Sequence, residues 1–234
     1  MLLSISSDSK TVKGQKFGYL TGVLYLAPAE ISGFNVCPRA SAGCKSSCLY
    51  SAGRGAFSNV QRARVAKTIQ YMTERDAFIS ELARDIKRLI LKAGKMGLIP
   101  AVRLNGTSDI LSGEYIRLMW MFPDVQFYDY TKVSNRFYKT LPANYHMTFS
   151  KSEDNTDYAL DLLDQGHNVA VVFQPDKNGN LPKSWHGYSI IDGDISDLRF
   201  LDPKNVVVGL RAKGQAKKDS SGFVVRSDEQ SLVW

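Results

Sequence analysis

Cys37, Cys44 and Cys48 are the only cysteines in 234 residues, and all lie in Asn35-Val36-Cys37-Pro38-Arg39-Ala40-Ser41-Ala42-Gly43-Cys44-Lys45-Ser46-Ser47-Cys48-Leu49-Tyr50. An odd number of thiols in a chain whose start does not read as a secretory leader argues against a disulfide framework. Short spacings of the form C-x6-C-x3-C on a loop rich in Gly, Ala and Ser suit metal ligation, because small residues let the backbone wrap a cluster and turn its amides toward the sulfurs. Three thiolates can hold a 4Fe-4S cluster whose fourth iron is open or taken by a small molecule. Zinc in a closed site wants a fourth protein ligand, and His146, His167 and His186 all lie far away in the sequence. Zinc with a distant His or Asp, and unliganded structural or redox thiols, remain open beside the cluster. His146, inside a strand-like run, reads as a core histidine.

Something must position that loop, and the chain supplies a strand-then-helix rhythm. Phe17 to Leu26 reads as a first strand that leads into the cysteines. Ser58 to Met72 reads as a helix, and Thr73 with Asp76 resembles a capping box opening another. That second helix has the stripe Phe78, Ile79, Leu82, Ile86, Leu89, Ile90 and Ala93, closed by Gly94. Beyond it, short apolar runs at Ala101 to Leu104, Val125 to Tyr128, Tyr145 to Phe149, Val169 to Phe173, Tyr188 to Ile191 and Val206 to Leu210 alternate with polar turns. Between them lie the helical segments Gly113 to Met121, Ser134 to Tyr138 and Thr156 to Gln165. These are βα units of an α/β fold with parallel strands, either an open doubly wound sheet or a full or partial barrel. No Gly-x-Gly-x-x-Gly follows the first strand, which disfavours a dinucleotide-binding domain and leaves a barrel-like arrangement as the expectation.

In such folds chemistry gathers at the carboxyl ends of the strands. Here those ends carry Asn105-Gly106-Thr107-Ser108-Asp109, Asp129-Tyr130-Thr131-Lys132, Ser150-Lys151-Ser152-Glu153, Asp192-Gly193-Asp194 and Arg211-Ala212-Lys213-Gly214. With the cysteine loop they would share one mouth. Any one group is explained by turns and helix caps. Lys132, Lys151, Arg211 and Lys213 together would suit an anionic ligand or the negative cluster itself. The segments around Asn178-Gly179 and from Gln215 to Arg226 read as a turn and as a surface loop before a last strand.

Length and composition fit one globular domain spanning residues 1 to 234: 44% of residues are hydrophobic and 23% charged. No apolar run approaches a bilayer span, and Met1 to Gln15 has charges and serines where a leader would be apolar, so a cytoplasmic protein without membrane partners is expected. The net charge is +7 and uneven, since Val36 to Pro100 holds twelve Lys and Arg against four Asp and Glu. That imbalance admits nucleic acid, a phosphate-bearing cofactor or an anionic cluster as partner, as well as a merely solvated helix face.

The cysteine run, the Asn105 to Asp109 and Asp129 to Lys132 segments, Ile191-Asp192-Gly193-Asp194 and Gly209-Leu210-Arg211-Ala212-Lys213-Gly214 together resemble the phage gene product 88 family, from about Gly33 to Lys217. The resemblance implies a bacteriophage origin and a place in the cytoplasm of the infected bacterial host. A more distant likeness is to radical S-adenosylmethionine enzymes, whose partial barrel carries a three-cysteine loop after its first strand and a Gly-Gly-Glu type motif after its second. By position it makes Cys37, Cys44 and Cys48 the metal ligands. It also makes Asn105, Gly106, Thr107, Ser108 and Asp109 cofactor-binding, with Thr107, Ser108 or Asp109 meeting the amino group of S-adenosylmethionine. Lys132, Ser150, Arg211 and Lys213 complete the expected rim. Two functions follow. One is a phage 4Fe-4S protein, as a radical S-adenosylmethionine-like enzyme or with a small-molecule or electron-transfer partner. The other is a nucleic-acid-binding or regulatory phage protein with a structural zinc or iron-sulfur site, whose basic segment Arg62 to Lys95 meets phosphates.

Overall fold

In the computed structural model, which describes residues 1–5 and 12–234, every strand predicted from periodicity is present. Residues 6–11, part of the polar N-terminal stretch, lie outside the described residues. The strands are β1 (Leu3–Ile5), β2 (Tyr19–Leu24), β3 (Ile99–Arg103), β4 (Gln126–Thr131), β5 (Tyr145–Ser150), β6 (Val169–Phe173), β7 (Ser184–Trp185), β8 (Tyr188–Asp192), β9 (Val207–Arg211), β10 (Val224–Val225) and β11 (Leu232–Val233). The helices are α1 (Ala42–Ser46), α2 (Ser58–Thr73), α3 (Arg75–Lys95), α4 (Gly113–Met121) and α5 (Thr156–Asp164). The segment Ser134–Tyr138 forms a 3-10 turn in place of the predicted helix.

The strands form one mixed sheet in which β2, β3, β4, β5, β6, β9 and β8 are neighbours in that order and all parallel. Sequential parallel neighbours joined by helices are the arrangement the rhythm implied. Closure into a barrel is not seen: among the described residues no pairing joins the two ends of the sheet. Each end is covered by the chain's own short strands. β1 lies antiparallel on β2, and β7 with β11 extends β8 in antiparallel fashion.

Alternation along the strands sorts their side chains onto two faces. On one face Leu20 and Leu24 of β2, Val102 of β3 and Phe127 of β4 pack against Phe78, Leu82, Ile86 and Leu89 of α3 and Tyr115, Leu118 and Met119 of α4. Phe149, Val169, Val171, Phe173 and Val207 continue that layer against Ala159, Leu162 and Leu163 of α5. The opposite face, bearing Tyr19, Ala101 and Tyr128, is covered by Leu198 and Phe200 from the β8–β9 connection. Phe200 stands edge-on to Tyr19 and Tyr128, with ring centroids 4.9 and 5.4 Å away.

Two predicted helix signals resolve differently. Thr73 is the last residue of α2 and its hydroxyl donates back to Ile69 O, so it caps nothing; α3 starts after Glu74 with no side-chain cap. Gly94 is inside α3, and the residue that ends the run is Gly97, whose φ of +65° only glycine adopts cheaply. No helix among the described residues is long and apolar enough to cross a membrane.

Candidate functional site

Because seven strands run parallel, the loops after them gather along one edge. The cysteine loop follows β2, and two polar clamps fix it there. The first holds α1. Ser41 caps this short helix by accepting the Cys44 N–H at 3.1 Å, while its own hydroxyl donates to Glu153 Oε2 at 2.7 Å. The Gly43 N–H donates to Glu153 Oε1 at 2.6 Å, so both carboxylate oxygens of the loop after β5 are spent on α1. Gly43 is required by space: a Cβ there would lie 2.1 Å from Ser221 Oγ and 2.8 Å from Phe223 Cβ. Cys44 packs against the buried cluster of Ala212, Ala216, Phe223 and Val224. The segment from Gln215 to Arg226, read from the sequence as a surface loop, therefore forms a wall of the cysteine site. β10 follows Phe223 immediately and pairs with the end of β6.

The second clamp is the loop Asn105 to Asp109. Asp129 of β4 is buried and accepts from the Asn105 N–H at 2.7 Å and from Asn105 Nδ2 at 3.0 Å. Asn105 Oδ1 in turn accepts from Ser108 Oγ and the Ile110 N–H. Gly106 lets this loop lie against Tyr25, whose ring would be 2.5 Å from an added Cβ. From here the loop grips the cysteine segment: Thr107 Oγ1 donates to Leu26 O at 2.5 Å, the Asp109 N–H donates to Val36 O at 2.8 Å, and Cys37 Sγ lies 3.8 Å from Thr107 O. The Asp109 carboxylate meets Arg136 and accepts the Lys132 N–H at 2.9 Å. Asn105, Thr107, Ser108 and Asp109, predicted as cofactor contacts, thus all direct their polar groups into a brace beneath Cys37.

The sulfurs themselves sit in a distinctive field. Burial pushes the Cys37 thiol up to about 12, opposed by the Ala29 N–H that donates to its sulfur at 3.3 Å and reinforced by Asp109, Cys48 and Cys44. Burial also raises Cys48. A hydrogen bond from the Tyr50 backbone opposes that rise, Cys44 adds to it, and Arg64 and Lys132 favour the thiolate. All three thiols therefore lie within electrostatic range of one another. Arg64 stacks over the rings of Tyr25 and Tyr50, 4.7 and 5.6 Å from their centroids.

The expected rim divides. Lys132 Nζ donates to Ser150 Oγ at 2.6 Å, 5.5 Å from the Phe223 ring centroid, so Lys132 and Ser150 face the cysteine side. Arg211 and Lys213 spend their charges on Asp192 and Asp194 at 2.6 to 3.4 Å. Lys151 is buried with its ammonium on Gly222 O, which ties the tail to β5. His146 stands on β5, lowered to about 4 by burial and then by the nearby charges of Arg199 and His167. Among the described residues no group of three or more His, Cys, Asp and Glu side chains is gathered tightly enough to hold a metal ion.

Sequence reading missed Glu153 as the anchor of α1, Asp129 as the base of the brace, and Ser221 with Phe223 as a wall. Only the first had a local signal: Ser41 three residues before Cys44 is an N-cap pattern. A family model described as gene product 88 matches residues 1–227. No curated protein and no solved structure matches the chain.

Proposed function

The chain belongs to the gene product 88 family, and we propose that it binds one 4Fe-4S cluster through Cys37, Cys44 and Cys48. The observation that carries this reading is the setting of the sulfurs. Backbone groups of Ala29 and Tyr50 hydrogen-bond to Cys37 and Cys48, and Arg64 and Lys132 bring positive charge to Cys48. Amides and cations around sulfur are what an anionic cluster needs, and they tune its potential. In a cluster each thiolate binds a different iron, so the ligands stand further apart than around one ion. Cys37, Cys44 and Cys48 lie within electrostatic range of one another, the minimum such a ligand set requires.

Three protein thiolates leave one iron for a small molecule, and S-adenosylmethionine, with an amino and a carboxylate group to chelate, is the ligand we assign to it. Held by Cys37, Cys44 and Cys48 and reduced by an external one-electron donor, the cluster would supply the electron that cleaves a carbon–sulfur bond of S-adenosylmethionine bound there. This chain's own residues hold and shield: the Asn105–Asp109 brace fixes Cys37, Glu153 fixes Cys44, and Phe223 excludes water beside it. Since Thr107, Ser108 and Asp109 are already bonded inside the brace, their part in such a site is to position Cys37. We place this activity in the cytoplasm of the infected bacterial host.

Anaerobic purification, iron and sulfide analysis, and EPR of the dithionite-reduced protein with and without S-adenosylmethionine test the reading. It expects about four irons and four sulfides per chain and a signal that shifts on addition. A cluster whose signal ignores the addition removes S-adenosylmethionine, and zinc without iron removes the cluster.

A second reading rests on α3, whose solvent side exposes Arg84, Lys87, Arg88, Lys92 and Lys95, of which only Arg88 pairs with a carboxylate among the described residues. This stripe could meet nucleic-acid phosphates. Binding to random duplex or single strands should weaken steeply with salt, and absence of binding at low salt removes it.

A further inference from the structure

A pocket of about 310 Å³ lies between the cysteine loop, the start of α4 and the 3-10 turn after β4. Half-buried Leu111, Ile116, Val133 and Leu141 give it an apolar lining. Its charged lining is of one sign: Arg39, Arg136 and Lys139 face it and no Asp or Glu does. Arg136 is neutralised, its guanidinium held by Asp109 and Thr131. Arg39 and Lys139 are exposed and make no ion pair with a carboxylate among the described residues. In this they differ from Arg103, Arg211 and Lys213, each of which has an acidic partner.

We propose that this pocket binds a small organic anion, a carboxylate or phosphate on a compact apolar body, with Arg39 and Lys139 taking the oxyanion and the four aliphatic side chains taking the body. Two terms favour such a ligand. Apolar surface leaves water on binding, and two cations without protein partners gain one. The volume is at the small end of ligand pockets and fits a single ring or a short chain. An inorganic anion would leave the aliphatic lining wet, and an organic cation would meet two positive charges. The site depends on none of the cysteines and stands or falls apart from the cluster. One lining residue, Arg136, pairs with Asp109 of the brace under Cys37.

The test uses the full chain with phenyl phosphate, phenylacetate, inorganic phosphate and benzylamine, by calorimetry and by amide chemical shifts. Phenyl phosphate or phenylacetate should bind one per chain, at least tenfold tighter than inorganic phosphate, with the largest shifts at Arg39 and residues 133–141. Whichever of the two binds more tightly identifies the anion as phosphate or carboxylate. Lys139→Gln and Arg39→Gln, both at exposed positions that leave the core untouched, should each weaken binding at least threefold. No saturable binding below about 10 mM, equal binding of benzylamine, shifts confined to another region, or variants that bind like the parent would each overturn the proposal.

Discussion

Glu153 and Gly43 are joined across the mouth of the sheet: the carboxylate after β5 accepts the Gly43 N–H at 2.6 Å, and its other oxygen takes the Ser41 hydroxyl. A helix as short as α1 does not hold itself together in isolation. The orientation of Cys44 is therefore imposed from 110 residues away in the sequence.

Replacing Glu153 with Ala should cost about 1–3 kcal/mol, the usual loss for charge-assisted hydrogen bonds left without their acceptor. Under the proposed cluster reading it should also lower iron retention during desalting more than it lowers the melting temperature of the iron-free protein. Glu153→Gln, which keeps one acceptor oxygen, should fall between. Denaturant melts paired with iron analysis decide, and wild-type iron retention in Glu153→Ala would contradict the role given to this carboxylate.

Gly43→Ala places a methyl group against Ser221 Oγ and Phe223 Cβ. Overpacking of this kind typically costs about 1–3 kcal/mol. Adding Ser221→Gly should recover part of that loss, because it removes the nearest atom. A double-mutant cycle with no coupling would separate the tail from the cysteine helix.

Cys37, raised to about 12 in the folded protein chiefly by burial, should be a poor nucleophile at pH 8. Alkylation with iodoacetamide followed by peptide mapping should mark it slowly when folded and rapidly in denaturant. Fast labelling in the native state would show that its thiol is not sequestered.

Asp129 is held up to about 7 by burial, against an ordinary value of 3.8, despite Arg103 and the two Asn105 donors. The folded protein then binds more protons than the unfolded chain between those values. The stabilisation is fully present below about pH 4 and is lost as pH rises through 7, a total on the order of 4 kcal/mol. His146 works the other way: lowered to about 4, it contributes above its unfolded value and loses that contribution as pH falls. The stability of wild type relative to Asp129→Asn isolates the first effect and should fall steadily as pH rises from 4 to 8. A pH-independent difference would show that Asp129 ionises normally.

The strands were readable because runs such as Val169–Phe173 are continuously apolar, as a sheet buried on both faces demands. The cysteine loop was readable because its three thiols are crowded. The partners of Asn105 were not, since Asp129 lies on the next strand and a single buried polar contact leaves no periodicity. Phe200 likewise gave no sign that it would cover Tyr19 and Tyr128, because it comes from an irregular connection with no apolar pattern. The family resemblance carried by the loop motifs between Gly33 and Lys217 extends over residues 1–227. The added edge strands β1, β7 and β11 were not legible, since runs of two or three residues carry no periodicity.

Ser221 and Phe223 close on Gly43 from nearly the opposite end of the chain. Loop closure over such a separation is slow and comes late, and on a ribosome it must wait until the tail has emerged. For that interval the cysteine loop already has its strand but not its wall. The order in which the chain is made thus leaves one side of the Cys44 helix open to solvent until Ser221 and Phe223 arrive to cover it.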